Sequence, residues 1–292
     1  MSVQLSKSEV TAIGDLVQLV SPTNKKIFVR LTPGMQIHTH RGIVYHDELI
    51  GVPWGSEVHS HTGSAYLLLQ PTLHDLIIET KRNTQIMYPK DIGYILLKLG
   101  IGEGQTIIEA GTGSGALTSV LAWYVGKRGK VVSYDLKADI QNLARKNLER
   151  LGLEDRVILK TKDIGLGFDE SDADALFLDL PNPFDYIEHV AKALKPGGNF
   201  GAILPTTNQV QKLLSVLRHQ HFGFPEVCEI MLRYYRPFAD KLRPTDRMVA
   251  HTGFLVFARP ILSSSFSDSK VAFSMEGEED EQPSQISYEN RQ

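Results

Sequence analysis

Two rhythms of apolar and polar positions divide the chain. From about Ser8 to Leu69, short β-branched and aliphatic runs such as Ile27-Phe28-Val29 and Ala65-Tyr66-Leu67-Leu68-Leu69 are broken by Gly34, Gly42, Gly51, Gly55 and Gly63. Runs of this length with turn residues between them predict a small antiparallel β unit. A polar stretch, Lys81-Arg82-Asn83-Thr84, then leads into Tyr88-Pro89-Lys90-Asp91. Here Asp91 is placed to cap a helix whose apolar positions are Ile92, Ile95, Leu96 and Leu99.

From Gln105 onward, strand, turn and helix alternate. Thr106–Ala110, Lys130–Asp135, 156–161, 173–180 and 200–204 read as strands; Ala116–Val125, Ala138–Leu151, 186–194 and 208–219 read as helices. Two further strands, 227–236 and 248–258, have no helix between them, which predicts an antiparallel pair at one sheet edge. The expected fold class is therefore α/β: a doubly wound, mostly parallel seven-stranded sheet with helices on both faces, beside a small N-terminal β domain. The division expected along the chain is 1–75 for the β domain, 76–104 for a linker and leading helix, 105–262 for the α/β domain and 263–292 for a tail. No fixed-period repeat is present.

Charge adds one correction to this picture. The whole chain holds 31 basic and 34 acidic residues, but 7 of the acids and only 2 of the bases lie beyond position 262. The remaining body has 29 basic against 27 acidic residues, a net +2, which is compatible with a polyanionic partner without requiring one. The Ser-rich acidic tail lacks the apolar surface needed to fold and is expected to be disordered. No apolar run approaches the roughly 20 residues of a membrane helix, and the N-terminus lacks a signal-peptide layout. The single cysteine, Cys228, excludes an internal disulfide framework and fits a reducing, cytoplasmic setting.

The segment Glu109-Ala110-Gly111-Thr112-Gly113-Ser114-Gly115 joins the first strand of the α/β region to its first helix. Alternate glycines let the backbone turn sharply and approach a ligand, with the positive end of the helix behind them. The next strand ends on Asp135, 24 positions after Gly111, where a carboxylate can grip ribose hydroxyls. Together they indicate an adenosine-containing cofactor. A dinucleotide would call for G-x-G-x-x-G, whereas this loop reads G-x-G-x-G behind an acid. S-adenosyl-L-methionine has no phosphates and carries positive charge, which suits Glu109 as a neighbouring carboxylate. Asp163, after the third strand, is placed either to accept from the adenine amino group or to cap a turn.

The fourth strand runs into Leu178-Asp179-Leu180-Pro181-Asn182-Pro183-Phe184. The ends of the first and fourth strands flank the switch point of a doubly wound sheet, so Asp179 is expected to face the crevice, with Asp185 capping the next helix. Pro183 and Phe184 suit either a flat wall for a stacked base or a hydrophobic staple. His38, His40, His46, His59 and His61 lack the accompanying ligand spacing of a metal centre, so no metal is expected. His251 reads as either a satisfied core histidine or part of the site's rim.

These motifs resemble class I methyltransferases of the tRNA 1-methyladenosine (position 58) type. The resemblance spans roughly Arg41 to Ala258. Its specific parts are Arg82-Asn83-Thr84-Gln85-Ile86-Met87-Tyr88-Pro89-Lys90-Asp91 and His251-Thr252-Gly253-Phe254-Leu255, with Phe177 to Phe184 and Leu204-Pro205-Thr206-Thr207-Asn208-Gln209-Val210 between them. It implies methyl transfer from S-adenosyl-L-methionine to N1 of a tRNA adenine, a Rossmann-like fold, and a homotetramer. It further implies Asp179 as the catalytic aspartate, Asp135 and Asp163 as cofactor-gripping acids, and Gln85 and Tyr88 near the cofactor's methionine end. Pro183, Phe184, Arg247 and His251 are the expected substrate contacts, with His251 at the rim. The competing readings are a methyltransferase of this fold acting on protein isoaspartyl groups or a small molecule, and a non-catalytic partner subunit. The last would be expected to lack the glycine loop or Asp179, and both are present.

Overall fold

The computed structural model describes residues 8–80 and 87–262. Its N-terminal part contains β1 (Leu16–Val20), β2 (Lys26–Arg30), β3 (Gln36–Thr39), β4 (Gly42–Tyr45), β5 (Glu57–His59) and β6 (Ala65–Leu69). An antiparallel four-stranded sheet in the order β2-β1-β6-β5 packs with the β3-β4 hairpin. Alternation along β6 buries Tyr66 and Leu68 while Leu67 faces out, and Val17, Leu19 and Val44 complete this core. A short helix, α1 (Leu73–Ile78), follows. Its capping box pairs Thr72 with Asp75, a start signal absent from the sequence reading, and Lys26 Nζ reaches Asp75 at 2.7 Å. Leu16 and Phe28 join the larger core, and the Arg30 guanidinium donates to the Arg150 carbonyl at 3.0 Å. The β unit is thereby fixed to its neighbour.

The larger part runs α2 (Pro89–Lys98), β7 (Thr106–Ala110), α3 (Ala116–Val125), β8 (Lys130–Asp135), α4 (Ala138–Leu151), β9 (Val157–Thr161), β10 (Ala173–Leu178), α5 (Ile187–Ala193), β11 (Leu194–Leu204), α6 (Thr207–His219), β12 (Phe222–Cys228), β13 (Tyr235–Arg236), β14 (Arg243–Pro244) and β15 (Phe254–Pro260). Seven of its strands form one sheet in the order β12-β15-β11-β10-β7-β8-β9, in which only β15 is antiparallel to its neighbours. Two hydrophobic clusters line its faces, one under α1, α2, α3 and α4 and the other under α5 and α6. Chain order reverses between β7 and β10, so a crevice opens at their carboxyl ends.

Three local expectations are corrected. Asp91 does not cap α2: the N-cap is Tyr88, Pro89 fills the first turn, and Asp91 lies one turn in, fully buried. Asp185 does not cap α5 either. The N-cap there is Tyr186, while Asp185 accepts from Asn182 Nδ2 at 2.6 Å and lies 3.7 Å from Lys212. Finally, the last two sheet strands are Phe222–Cys228 and Phe254–Pro260, with β15 inserted between β11 and β12. The intervening residues leave the sheet as an arm carrying the β13-β14 hairpin. Its apolar run reads like a strand, yet Met231, Tyr234, Phe238 and Leu242 are exposed.

Three of the N-terminal histidines are engaged locally. His46 is buried and accepts the Thr32 amide through Nδ1, His61 accepts the Ile43 amide, and His59 pairs with Glu57. Among the described residues no group of three metal-ligating side chains gathers.

Candidate active site

The glycine loop turns directly onto the switch point. Gly111 has φ +96°, and a Cβ there would lie 2.2 Å from the Asp179 carbonyl oxygen. The Asp179 amide in turn donates to the Ala110 carbonyl at 2.9 Å. The ends of β7 and β10 are therefore locked together, and only glycine fits. Gly115 begins α3 at φ +80° and packs on Ala144 of α4, at 3.1 Å from where its Cβ would be. Ser114 offers its carbonyl to Asn147, and Gly113 directs its amide toward Asp135 Oδ2 at 3.4 Å. Asp135 Oδ1 accepts the Lys137 amide, so this carboxylate is oriented at the end of β8.

Beneath the loop a relay of hydrogen bonds converges on one oxygen. Gln141 donates to Thr112, and the Thr112 and Ser133 hydroxyls lie 2.7 Å apart. Ser133 and Thr118 each donate to Glu109 Oε2 at 2.6 Å. Because Ser133 spends its proton on Glu109, Thr112 is the donor between the two hydroxyls. Glu109 is completely buried, and desolvation, reinforced by the negative charges of Asp179 and Asp135, pushes its pKa up to about 7.

In front of the loop, a pocket of about 240 Å3 is lined by Met87, Tyr88, Asp91, Asp179, Ile203, Pro205 and Thr252. Asp179 opens to this space and accepts no side-chain hydrogen bond among the described residues. It is exposed to pocket solvent at the end of its strand, and desolvation by the surrounding protein raises its pKa to about 6. An unpartnered carboxylate so placed costs free energy unless a hydrogen-bond donor or a cation meets it.

Over residues 63–242 the chain matches the family described as the tRNA methyltransferase complex GCD14 subunit, and over residues 11–63 a TrmI-like N-terminal module. The chain belongs to this tRNA methyltransferase family. A relative from Methanocaldococcus jannaschii, named tRNA (adenine(57)-N(1)/adenine(58)-N(1))-methyltransferase TrmI, is 37% identical over 247 residues, covering 76% of this chain and 86% of its own length. The Thermus thermophilus tRNA (adenine(58)-N(1))-methyltransferase TrmI is 32% identical, over 77% of this chain and 89% of its own. Among solved structures, an Aquifex aeolicus TrmI matches with a TM-score of 0.72 at 35% identity, over 87% of this chain and 100% of that one. A Thermotoga maritima structure described as a SAM-dependent O-methyltransferase gives 0.78 at 42% identity, over 87% and 96%. Members of a SAM-dependent family need a place for a cationic cofactor. At the carboxyl edge of this sheet the Gly111 and Gly115 turns leave the backbone bare and Glu109, Asp135 and Asp179 cluster, a charge arrangement that suits such a cation.

The expected site residues are not all brought to one place. Glu109, Gly111, Thr112, Gly113, Ser114, Gly115, Asp135, Asp179 and Tyr88 lie on or around the crevice. Asp163 follows β9, but its Oδ1 accepts the Gly165 amide at 2.8 Å, so the turn cap is made and one oxygen stays free of it. Pro183 is buried, Phe184 lies under Lys212 with the ammonium 3.7 Å from the ring centroid, and neither lines the pocket. His251 sits at the rim, where one ring nitrogen donates to the Pro205 carbonyl and the other contacts Glu229 at 2.7 Å. Both partners raise its pKa. Arg247 is exposed on the arm, apart from the pocket, and Gln85 lies outside the described residues.

Sequence reasoning missed Lys90 and Thr252. Lys90 Nζ donates to Asp91 Oδ1 at 2.8 Å and to Thr252 Oγ1 at 2.5 Å, and Thr252 donates to Asp91 Oδ2 at 2.8 Å. One signal was available: Asp91 stands one helical turn before Ile95 on the apolar face of α2, which no solvent-facing acid does.

Proposed function

We propose that this protein transfers the methyl group of S-adenosyl-L-methionine to N1 of an adenine in tRNA, at position 58 as named for its relatives. The carrying observation is Asp179 at the switch point, without a side-chain partner among the described residues, beside a glycine loop and facing the Tyr88 pocket, in a chain that matches most of the length of relatives so named. When bound, the cofactor supplies a methyl carbon activated by its sulfonium. N1 of adenine has a lone pair and no proton to discard, so accepting that methyl group would leave the positive charge on the purine and the electron pair on sulfur. No general base is needed. Asp179 accepts the hydrogen bond of the exocyclic amino group, holds the flipped-out base in line, and stabilises the cation as it grows.

Asp135, already oriented by two backbone amides, is assigned the ribose hydroxyls. The free Asp163 oxygen is assigned the adenine amino group, and Gln85 and Tyr88 the methionine end. Pro183, Phe184, Arg247 and His251 are assigned to tRNA. The β unit (1–75) and the α/β domain (105–262) are read as joint contributors to RNA handling.

We further assign self-association, to the tetramer implied by the resemblance, to the arm. Met231, Tyr234, Phe238 and Leu242 are 59–68% exposed there, an apolar concentration that monomers seldom show to water. No helix among the described residues is long and apolar enough to cross a membrane. The reading places the enzyme with tRNA in the cytoplasm. Incubation with labelled cofactor and unmodified total tRNA, followed by nucleoside digestion, is expected to yield labelled 1-methyladenosine. Label on ribose oxygen, or none on tRNA, would overturn the assignment.

A further inference from the structure

Asp91 and Asp179 line the same pocket, yet among the described residues only Asp91 meets a cation. The Asp91 side chain is 1% exposed and that of Lys90 6%, and with Thr252 they close a ring of three hydrogen bonds. Thr252 accepts from Lys90 and donates to Asp91, so its one proton is committed. Taking two charges out of water is costly, and an apolar pair would pack α2 against β15 at least as well. Stability alone does not call for this pair.

We propose that Lys90 is a charge-balancing positioning residue: it cancels Asp91 within the pocket wall, leaving Asp179 as the pocket's uncompensated carboxylate, while Thr252 clamps the balanced pair to the start of β15. The inference rests on Asp179 being the acid that meets the developing cation. Without Lys90, a second bare carboxylate would share the pocket, oppose ionisation of Asp179 and draw positive charge away from the transfer position. Without Asp91, the Lys90 ammonium would instead favour ionised Asp179 and repel the purine cation.

Other titratable groups face this space. Glu109 and Asp135 stand at the ends of β7 and β8, and Tyr88 begins α2. His251 and Glu229 form the rim, and the Lys90 charge reaches His251, partly opposing the rise that the Pro205 and Glu229 hydrogen bonds cause. A His251→Gln, Glu109→Gln background removes the two other groups that titrate in this range and leaves the acid limb to Asp179.

The test is kcat/KM for unmodified tRNA, at saturating S-adenosylmethionine, from pH 5 to 8.5, with folding followed by thermal melts. Lys90→Met is expected to move the acid limb up, and Asp91→Asn to move it down, each by roughly one pH unit. The double variant, with both charges gone, returns it to the wild-type position. Loss of packing would lower activity without moving the limb in opposite directions. Should Lys90→Met fail to fold, Asp91→Asn and the double variant carry the same comparison. Limbs that stay put, or move the same way, overturn the proposal. Asp179→Asn separates the premise: near wild-type turnover there brings down both readings, whereas a large loss with unmoved limbs in the other variants brings down this one alone.

Discussion

At the scale of single residues, two carboxyls make opposite demands, Glu109 buried under the loop and Asp179 open to the pocket. Asp179 must be ionised to stabilise a cation. With its pKa raised to about 6, turnover is expected to fall about tenfold for each pH unit below 6. A carboxylate about 4 Å from the growing charge, at an effective dielectric near 20, contributes on the order of 4 kcal/mol, so Asp179→Asn is expected to lower kcat by roughly a thousandfold. Cofactor affinity should change much less, a split that steady-state kinetics alongside calorimetry resolves. Glu109 is held protonated by burial up to about pH 7. A carboxyl whose folded pKa lies above its unfolded value contributes most to stability at low pH, and that contribution is lost as pH rises through the folded pKa. The window here is from about 4.5 to 7. A shift of this size corresponds to about 3 kcal/mol. Glu109→Gln keeps an acceptor for Thr118 and Ser133, and its melting temperature is expected to vary less between pH 5 and 8 than that of the wild type. Cationic cofactor should also expel the Glu109 proton near pH 7. Calorimetry in buffers of different ionisation enthalpy reads that release directly, and the Gln variant should show none.

At the scale of elements, the decisive unit is the turn between β7 and α3. Gly111→Ala combines a left-handed backbone with a methyl group driven into the Asp179 carbonyl, so the ends of β7 and β10 must separate. It is expected to lower the melting temperature by several degrees and weaken cofactor binding more than tenfold. Gly34 provides the control: its φ is +74°, but a Cβ there meets nothing within 4 Å. Gly34→Ala should cost only about 1 kcal/mol and leave cofactor binding intact. The start of α2 shows a different logic. Its N-cap makes no side-chain bond, and the helix is held by Lys90, Asp91 and Thr252 across the fold rather than by its own first turn.

At the scale of the whole molecule, RNA binding and self-association should respond differently to salt. Of the basic residues that could meet phosphates, Lys26 and Arg236 are engaged with Asp75 and Asp246, whereas Lys25, Arg233 and Arg247 are exposed on the N-terminal unit and the arm. With several phosphates neutralised, tRNA affinity is expected to fall by orders of magnitude between about 50 and 200 mM salt. A flat titration would argue against an RNA substrate. Association through the apolar arm should persist across the same range, and Phe238→Glu with Leu242→Glu should reduce the mass measured by light scattering to that of one chain.

The sequence by itself determined what local chemistry dictates. Period-two and helical patterns reproduced β7, α3, β8 and α4 to the residue, and the alternation placed Gly111, Asp135 and Asp179 at the carboxyl edge of a doubly wound sheet, because strand ends and glycine turns carry their own signatures. What the tertiary structure decided lies beyond that range. The apolar run after Cys228 looks like a sheet strand, and only the insertion of β15 beside β11 shows that it projects outward. Asp185 looks like a helix cap until Asn182 and Lys212 are seen to hold it. Asp91 meets Thr252 across 161 positions, and Glu109 holds its proton because the folded sheet removes its water. Burial and long-range pairing are properties of the packed chain, and no window of neighbouring residues encodes them.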